Sequence, residues 1–344
     1  MRDREASRPP LKDVAALSGV SEPTVSRVLN GRKGVAGPTR QRVIAALETL
    51  GFGDVPEPSA PRRSMVGIVA GEFQNPVFSM LVDHISTQLG RNGYLSTVAV
   101  TEPNYAPEER CIAELERSGV DGIVVIGGRH TEIDGDLTHY RSLAATGRPL
   151  VFVNGAPTRI AAPHVICDEA AGARQAVSHL AKLGHTRIGC LLGSDRYVPT
   201  RRFTAGYREI MAEFGLAEPD GAIVHSAFTL EGGRAGATRL IERGITALIA
   251  GNDLMALGAV LASRTRGGEP LSVVGYDGTD FTAFTDPSLT TLRQPFDDMA
   301  RLVADAIISE IDGSHRFRDH YVFEPQLVVR DSTHAALPQP VSAG

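Results

Sequence analysis

Long apolar runs are missing from this 344-residue chain: no stretch approaches eighteen apolar residues, and the opening MRDREASRPPLKD places no apolar segment behind its charges. A membrane-spanning helix and a secretory leader are therefore not expected. Cysteine is scarce. Cys111, Cys167 and Cys190 are odd in number and far apart, which excludes a disulfide scaffold and makes a reducing cytoplasm the simplest compartment. Catalytic signatures are missing too: there is no Walker loop, no GxSxG elbow, no HExxH and no GxGxxG after an apolar strand. The ten histidines are scattered, none beside Cys or another His at metal-ligand spacing. Neither an enzyme, a metal site nor a cofactor is expected.

What is present is an ordinary globular composition, 42% hydrophobic and 22% charged, on a length that suits two or three domains. The net charge of −5 hides an asymmetry. Residues 1–63 hold eleven Lys/Arg against seven acids, about +4, and the remainder holds 24 against 33, or −9. A small basic head on an acidic body is expected when only the head meets a polyanion.

The head reads as three helices. Leu11, Val14, Ala15 and Leu17 recur at helical spacing, Ser18-Gly19-Val20 interrupts them, and Ser21 opens a second run with Val25, Val28 and Leu29 facing inward. A third run spans 39–50. Two short helices joined by a Gly-containing turn can set the second in a major groove, its N-terminal residues at base edges and its flanks on phosphates. The DNA-contacting residues read from this segment are Ser21, Thr24, Ser26 and Arg27, with Lys12 and Asn30 at its two ends. Serine and threonine suit phosphate, and Arg27 is long enough for a guanine edge. The alternative is a surface helical hairpin whose serines merely cap.

Behind the head, GDVPEPSAPRRS (53–64) reads as an extended linker, with prolines at 56, 58 and 61. Apolar runs at 65–70, 94–100, 122–127, 149–154, 187–193, 247–251 and 271–277 then alternate with helical stretches at 77–91, 108–118, 170–183, 200–214, 231–243 and 254–264. This implies a doubly wound α/β body long enough for two lobes, with a ligand cleft at the carboxyl ends of the strands.

DVAALSGVSEPTVSRVLNG (13–31), Asn75-Pro76, HLAKLGHTRIG (179–189), GNDLMALGA (251–259), VVGYDGTDF (273–281) and SLTTLRQPF (288–296) together resemble the LacI/GalR bacterial transcription regulators, over nearly the whole chain. The resemblance implies a helix-turn-helix head (1–52), a Pro-rich linker (53–64) and a two-lobed periplasmic-binding-protein-like body (65–332). Lobe one is expected at about 65–166 plus 296–322, lobe two at about 167–293 plus 323–332, and a disordered tail at 333–344. It implies a homodimeric repressor of double-stranded operator DNA, controlled by a small polar effector such as a sugar. A periplasmic-type sugar-binding protein is the rival, and the head argues against it.

The two family positions that choose bases correspond to Glu22 and Pro23; Glu22 equally suits a helix N-terminus as a carboxylate. The effector site implied is Phe73, Asn75, Asn154, Arg202, Phe228, Asn252 and Asp277. Asp277 is alternatively a turn residue before Gly278, Phe228 alternatively core, and Arg201 competes with Arg202 because Phe203 takes the place where the family carries Arg. In the linker no leucine occurs between Leu50 and Leu81, so the family's minor-groove leucine wedge is unavailable and a nearly straight operator is expected.

Overall fold

The computed structural model describes residues 11–29, 35–50, 64–101, 107–155, 160–266, 270–314 and 320–337. The chain folds into two compact units, Met1–Arg63 and Ser64–Gly344. Asn30 and the linker, with the expectations attached to them, lie outside the described residues.

In the first unit, helices α1 (Leu11–Ser18), α2 (Glu22–Leu29) and α3 (Gly37–Thr49) enclose Val14, Val25, Val28, Val43, Ala46 and Leu47. Each such valine contributes roughly 1.5–3 kcal/mol of hydrophobic burial, enough to hold a small three-helix core. Gly19 breaks α1 from α2 with φ +66, a conformation that favours glycine. α3 starts two residues earlier than its apolar spacing suggests, because Pro38 fits the first turn of a helix.

The second unit holds two six-stranded sheets. The first contains β1 (Met65–Ala70), β2 (Leu95–Val100), β3 (Gly122–Ile126), β4 (Leu150–Val153), β5 (His164–Cys167) and β11 (His320–Phe323), in the order β11-β5-β4-β3-β1-β2. The second contains β6 (Ile188–Leu192), β7 (Ile223–His225), β8 (Ala247–Ala250), β9 (Ser272–Asp277), β10 (Thr290–Arg293) and β12 (Gln326–Val328), in the order β12-β10-β9-β8-β6-β7. Every pairing is parallel except β10 with β12. Helices α4 (Pro76–Arg91), α5 (Glu108–Arg117), α6 (Thr138–Ala145) and α11 (Phe296–Asp312) belong with the first sheet. Helices α7 (Glu169–Lys182), α8 (Val198–Glu213), α9 (Leu230–Glu242) and α10 (Asp253–Arg266) belong with the second. Central strands covered on both faces must be apolar throughout, which is why MVGIVA and GIVVI read so clearly.

Chain order reverses beside β1 in the first sheet and beside β6 in the second, and these switch points open a crevice at the strands' carboxyl ends. The chain passes between lobes three times, at Cys167–Glu169, at Gln294–Phe296 and between Phe323 and Gln326. Phe323 pairs with Cys167, so both residues belong to the sheet of lobe one. A correction concerns the tail. Residues 333–337 pack on lobe two: Thr333 Oγ1 is 2.9 Å from His179 Nε2, and Ala336 N donates to Leu183 O at 2.8 Å.

Candidate functional site

On the head, Val25 and Val28 turn one face of α2 inward, and this leaves Glu22, Pro23 and Arg27 exposed on the other. Thr24 and Ser26 are half-buried, and Lys12 is exposed on α1. Ser21 starts α2 through its carbonyl, which accepts from Thr24 N at 2.8 Å and Val25 N at 3.0 Å, and its Oγ lies 2.9 Å from Thr24 Oγ1. Side chains that hydrogen-bond at a helix start and a cation further along the same exposed face are what a duplex groove requires.

In the body, a cleft of about 300 Å³ lies between the lobes at the carboxyl ends of the strands. Asn75, Asn154, Phe228 and Asp277 line it. Asn75 precedes α4 and Asn154 follows β4 with φ 69. Asp277 ends β9 with φ 103, and its Oδ1 accepts from Gln294 Nε2 at 2.8 Å. Burial, and then the neighbouring Asp253 carboxylate, push the Asp277 carboxyl well above the usual range. Asp253 itself is raised to about 6 by burial, a shift moderated by Thr279 and Thr291, which both donate to it.

Asn252 is buried at the edge of this site. Its Oδ1 accepts from Met255 N at 2.8 Å, capping the start of α10, and its Nδ2 donates to Phe228 O at 3.2 Å and, across the lobes, to Asn75 Oδ1 at 3.3 Å. Phe228 is both wall and core: it lines the cleft and packs against the lobe-two cluster under Gly193 and Gly251.

Three expected residues do not line the cleft: Asn252, at its edge, and Phe73 and Arg202, which lie away from it. Phe73 sits in the turn after β1, 42% exposed, and its neighbours Glu72 and Asn75 line the site instead. Arg202 lies behind the wall, its Nη1 3.8 Å from Glu169 Oε2, because α8 presents Pro199 and Thr200 to the cleft and carries Arg202 round to α7. The competing Arg201 donates to Asp195 O at 2.9 Å on the surface. Phe203 is core, edge-on to Tyr276 at 6.0 Å.

Sequence reasoning missed Phe78, Glu169, Tyr197, Tyr276 and Gln294, all of which line the cleft. All five are at or near a strand end or the start of a helix that follows one, a positional signal that was available. The Glu169 carboxyl is pushed up to about 7 by burial, opposed by the Arg202 charge. Among the described residues no group of three or more His, Cys, Asp or Glu is placed to hold a metal ion, and no helix is long and apolar enough to cross a membrane.

Residues 10–53 match the bacterial regulatory proteins of the lacI family, and residues 177–333 match the periplasmic binding protein-like domain. An uncharacterized HTH-type transcriptional regulator of Streptomyces limosus is 43% identical, over 98% of this chain and 98% of its own. The chain belongs to the LacI family of transcriptional regulators. HTH-type transcriptional regulator MalR of Streptomyces coelicolor is 41% identical over 95% of this chain and 97% of its own. Among solved structures, the lac repressor dimer bound to operator and the anti-inducer ONPF matches with a TM-score of 0.74 at 26% identity, over 96% of this chain and all of that one. The transcriptional regulator CelR in complex with cellobiose matches with a TM-score of 0.70 at 29% identity, over 94% of this chain and all of that one. This LacI-family chain is therefore a DNA-binding regulator, with a helix-turn-helix head and a periplasmic-binding-protein-like body.

Proposed function

We propose that this regulator is a cytoplasmic repressor that binds a two-fold symmetric operator as a homodimer and is controlled by a small polar effector, a sugar, held between the lobes. The observation that carries the reading is the cleft itself, where Asn75, Asn154 and Asp277 supply polar groups beside the aromatic rings of Phe78, Tyr197 and Phe228. Polar groups among apolar walls suit a ligand with hydroxyls on its rim and carbon on its faces. The solved complexes of CelR with cellobiose and of the lac repressor dimer with operator support both halves of the proposal. Dimerisation is further supported by the edge strand β2, which leaves Leu95, Val98 and Val100 exposed. No catalytic step is assigned to the chain.

An effector that prefers one lobe arrangement changes operator affinity by the same factor as operator changes effector affinity, typically about 5–150-fold. The test is fluorescence anisotropy of the full-length protein on duplex fragments from upstream of its own gene, with and without a sugar panel, alongside sedimentation to read the stoichiometry. Affinity in the order of 10⁻⁸ M or tighter for one fragment, two chains per site and release by one sugar are the expected results. Binding that is equally weak on every fragment would overturn the operator reading.

A further inference from the structure

The lobes also touch through two loops, away from the three places where the chain crosses between them. The loop after β3 carries Thr131, Glu132 and Ile133, and the loop after β6 carries Arg196 and Tyr197. Glu132 and Tyr197 face each other as an isolated antiparallel bridge, and Ile133 N donates to Arg196 O at 2.8 Å. Side chains reinforce this backbone contact. Arg196 Nη2 lies 3.7 Å from Glu132 Oε1, and the same guanidinium sits over the Tyr197 ring, 4.7 Å from its centre.

Topology gives the contact its leverage. The crossings are carried by β5, β10, β11 and β12, which occupy one end of each sheet, whereas β3 and β6 lie toward the other end. Thr131 and Tyr197 line the cleft, while the Arg196 side chain is 63% exposed, so the contact stands between the cavity and solvent. Its parts are individually weak: one backbone hydrogen bond, one exposed ion pair and one cation over a ring each change an equilibrium by about threefold. Together they bias the lobes toward closure without locking them.

We infer that Glu132–Ile133 and Arg196–Tyr197 form a latch that holds the cleft shut in the ligand-free protein, so that a small molecule enters only while the latch is open. The inference rests on the effector reading above and adds how access to that site is regulated. A gate of this kind sets the rates of entry and exit, and its energy is part of what any ligand must work against or with when it redistributes the lobe arrangements.

Cys167 supplies a probe that needs no effector, because it lines the cleft, whereas Cys190 is buried in the core of lobe two. The full-length protein is labelled with iodoacetamide, and each cysteine is followed by mass spectrometry. Glu132→Lys sets two cations together and should label Cys167 about threefold faster than the wild type, with Cys190 unchanged. Glu132→Lys combined with Arg196→Glu restores the attraction and should return the rate toward that of the wild type. Opposed residues of an antiparallel bridge stand about 4.5–5.5 Å apart at Cα, within disulfide range, so Glu132→Cys with Tyr197→Cys should cross-link in the ligand-free protein under oxidised glutathione. The cross-linked form should label Cys167 at least about tenfold more slowly than the same protein reduced. Failure to cross-link without ligand, equal Cys167 labelling in the oxidised and reduced forms, or equal acceleration of Cys167 and Cys190 in Glu132→Lys overturns the inference. Thermal shift with glucose, maltose, cellobiose and ribose separates it from the effector reading. A sugar that reaches the cross-linked form as fast as the reduced one removes the latch and leaves the effector reading standing. If no sugar binds either form, the sugar assignment falls, and the labelling rates alone decide the latch.

Discussion

Asn252 in lobe two donates to Asn75 in lobe one over 3.3 Å, so the starts of α10 and α4 are joined side chain to side chain across the cleft. The same Asn252 caps its own helix through Oδ1. One residue thus couples a local structural role to the relative position of the lobes, and the two roles are separable.

Asn252→Ala removes the α10 cap as well as the bridge and should cost about 1–2 kcal/mol of stability, whereas Asn75→Ala removes the bridge alone and should cost under about 1 kcal/mol. Urea denaturation of the full chain measures both. Equal losses would mean that the cap contributes nothing.

Arg27 is exposed on the outer face of α2, so Arg27→Ala should leave the melting temperature unchanged. Its operator affinity should fall by about 1–3 kcal/mol, with discrimination lost at one base pair. Lys12→Ala should instead weaken all duplexes alike and reduce the slope of log affinity against log salt by about one. Titrations at three salt concentrations distinguish a base-reading arginine from a phosphate-bound one.

Gly193 lies directly beneath the Phe228 ring, and a Cβ there would clash with it. Gly193→Ala should therefore displace the aromatic wall and weaken effector binding about tenfold or more while the protein remains folded. Far-UV circular dichroism checks the second half of this expectation and calorimetry the first. Unchanged effector affinity would make Phe228 a core residue only.

The Glu169 carboxyl, raised to about 7 from 4.5, holds a proton in the folded state that the unfolded chain gives up earlier. Its contribution is therefore present below pH 4.5 and lost as pH rises through 7, a change of roughly 3 kcal/mol. Measured at pH 5 and pH 8, the stability difference between Glu169→Gln and the wild type should move in favour of the variant at the higher pH. A difference that stays constant would show that Glu169 titrates normally.

His164 behaves in the opposite sense. It is fully buried in β5 with neither ring nitrogen hydrogen-bonded, and burial lowers its pKa to about 3. Its contribution is intact above pH 6.5 and is lost as pH falls toward 3, because the unfolded chain takes up the proton first. His164→Leu should flatten the acid side of the stability profile, with a gain over the wild type that begins below pH 6.5 and grows as pH falls toward 3. Denaturation curves at pH 5 and pH 7.5 read the difference.

The helices of the head and the central strands were legible in the sequence because each obeys a local rule: apolar spacing on one helical face, or an unbroken apolar run where both faces are covered. The same rules placed Asn252 and Asp277 at strand ends, and hence near the cleft. They were silent on β10, whose Thr290 and Thr291 are buried because their hydroxyls find Arg330 O and Asp253, and on the segment 333–337, held by His179 and Leu183 far back in the chain. They could not show that α8 turns Arg202 toward Glu169 and away from the cleft, since that depends on how α8 meets α7. Nor could they bring Glu169 and Gln294 to the lining of one cleft, for these two are 125 positions apart and stand at different crossings between the lobes. Sequence determined the elements and the family's architecture through short-range periodicity. Which side chains line the cleft was decided by long-range contact, and no local pattern encodes that.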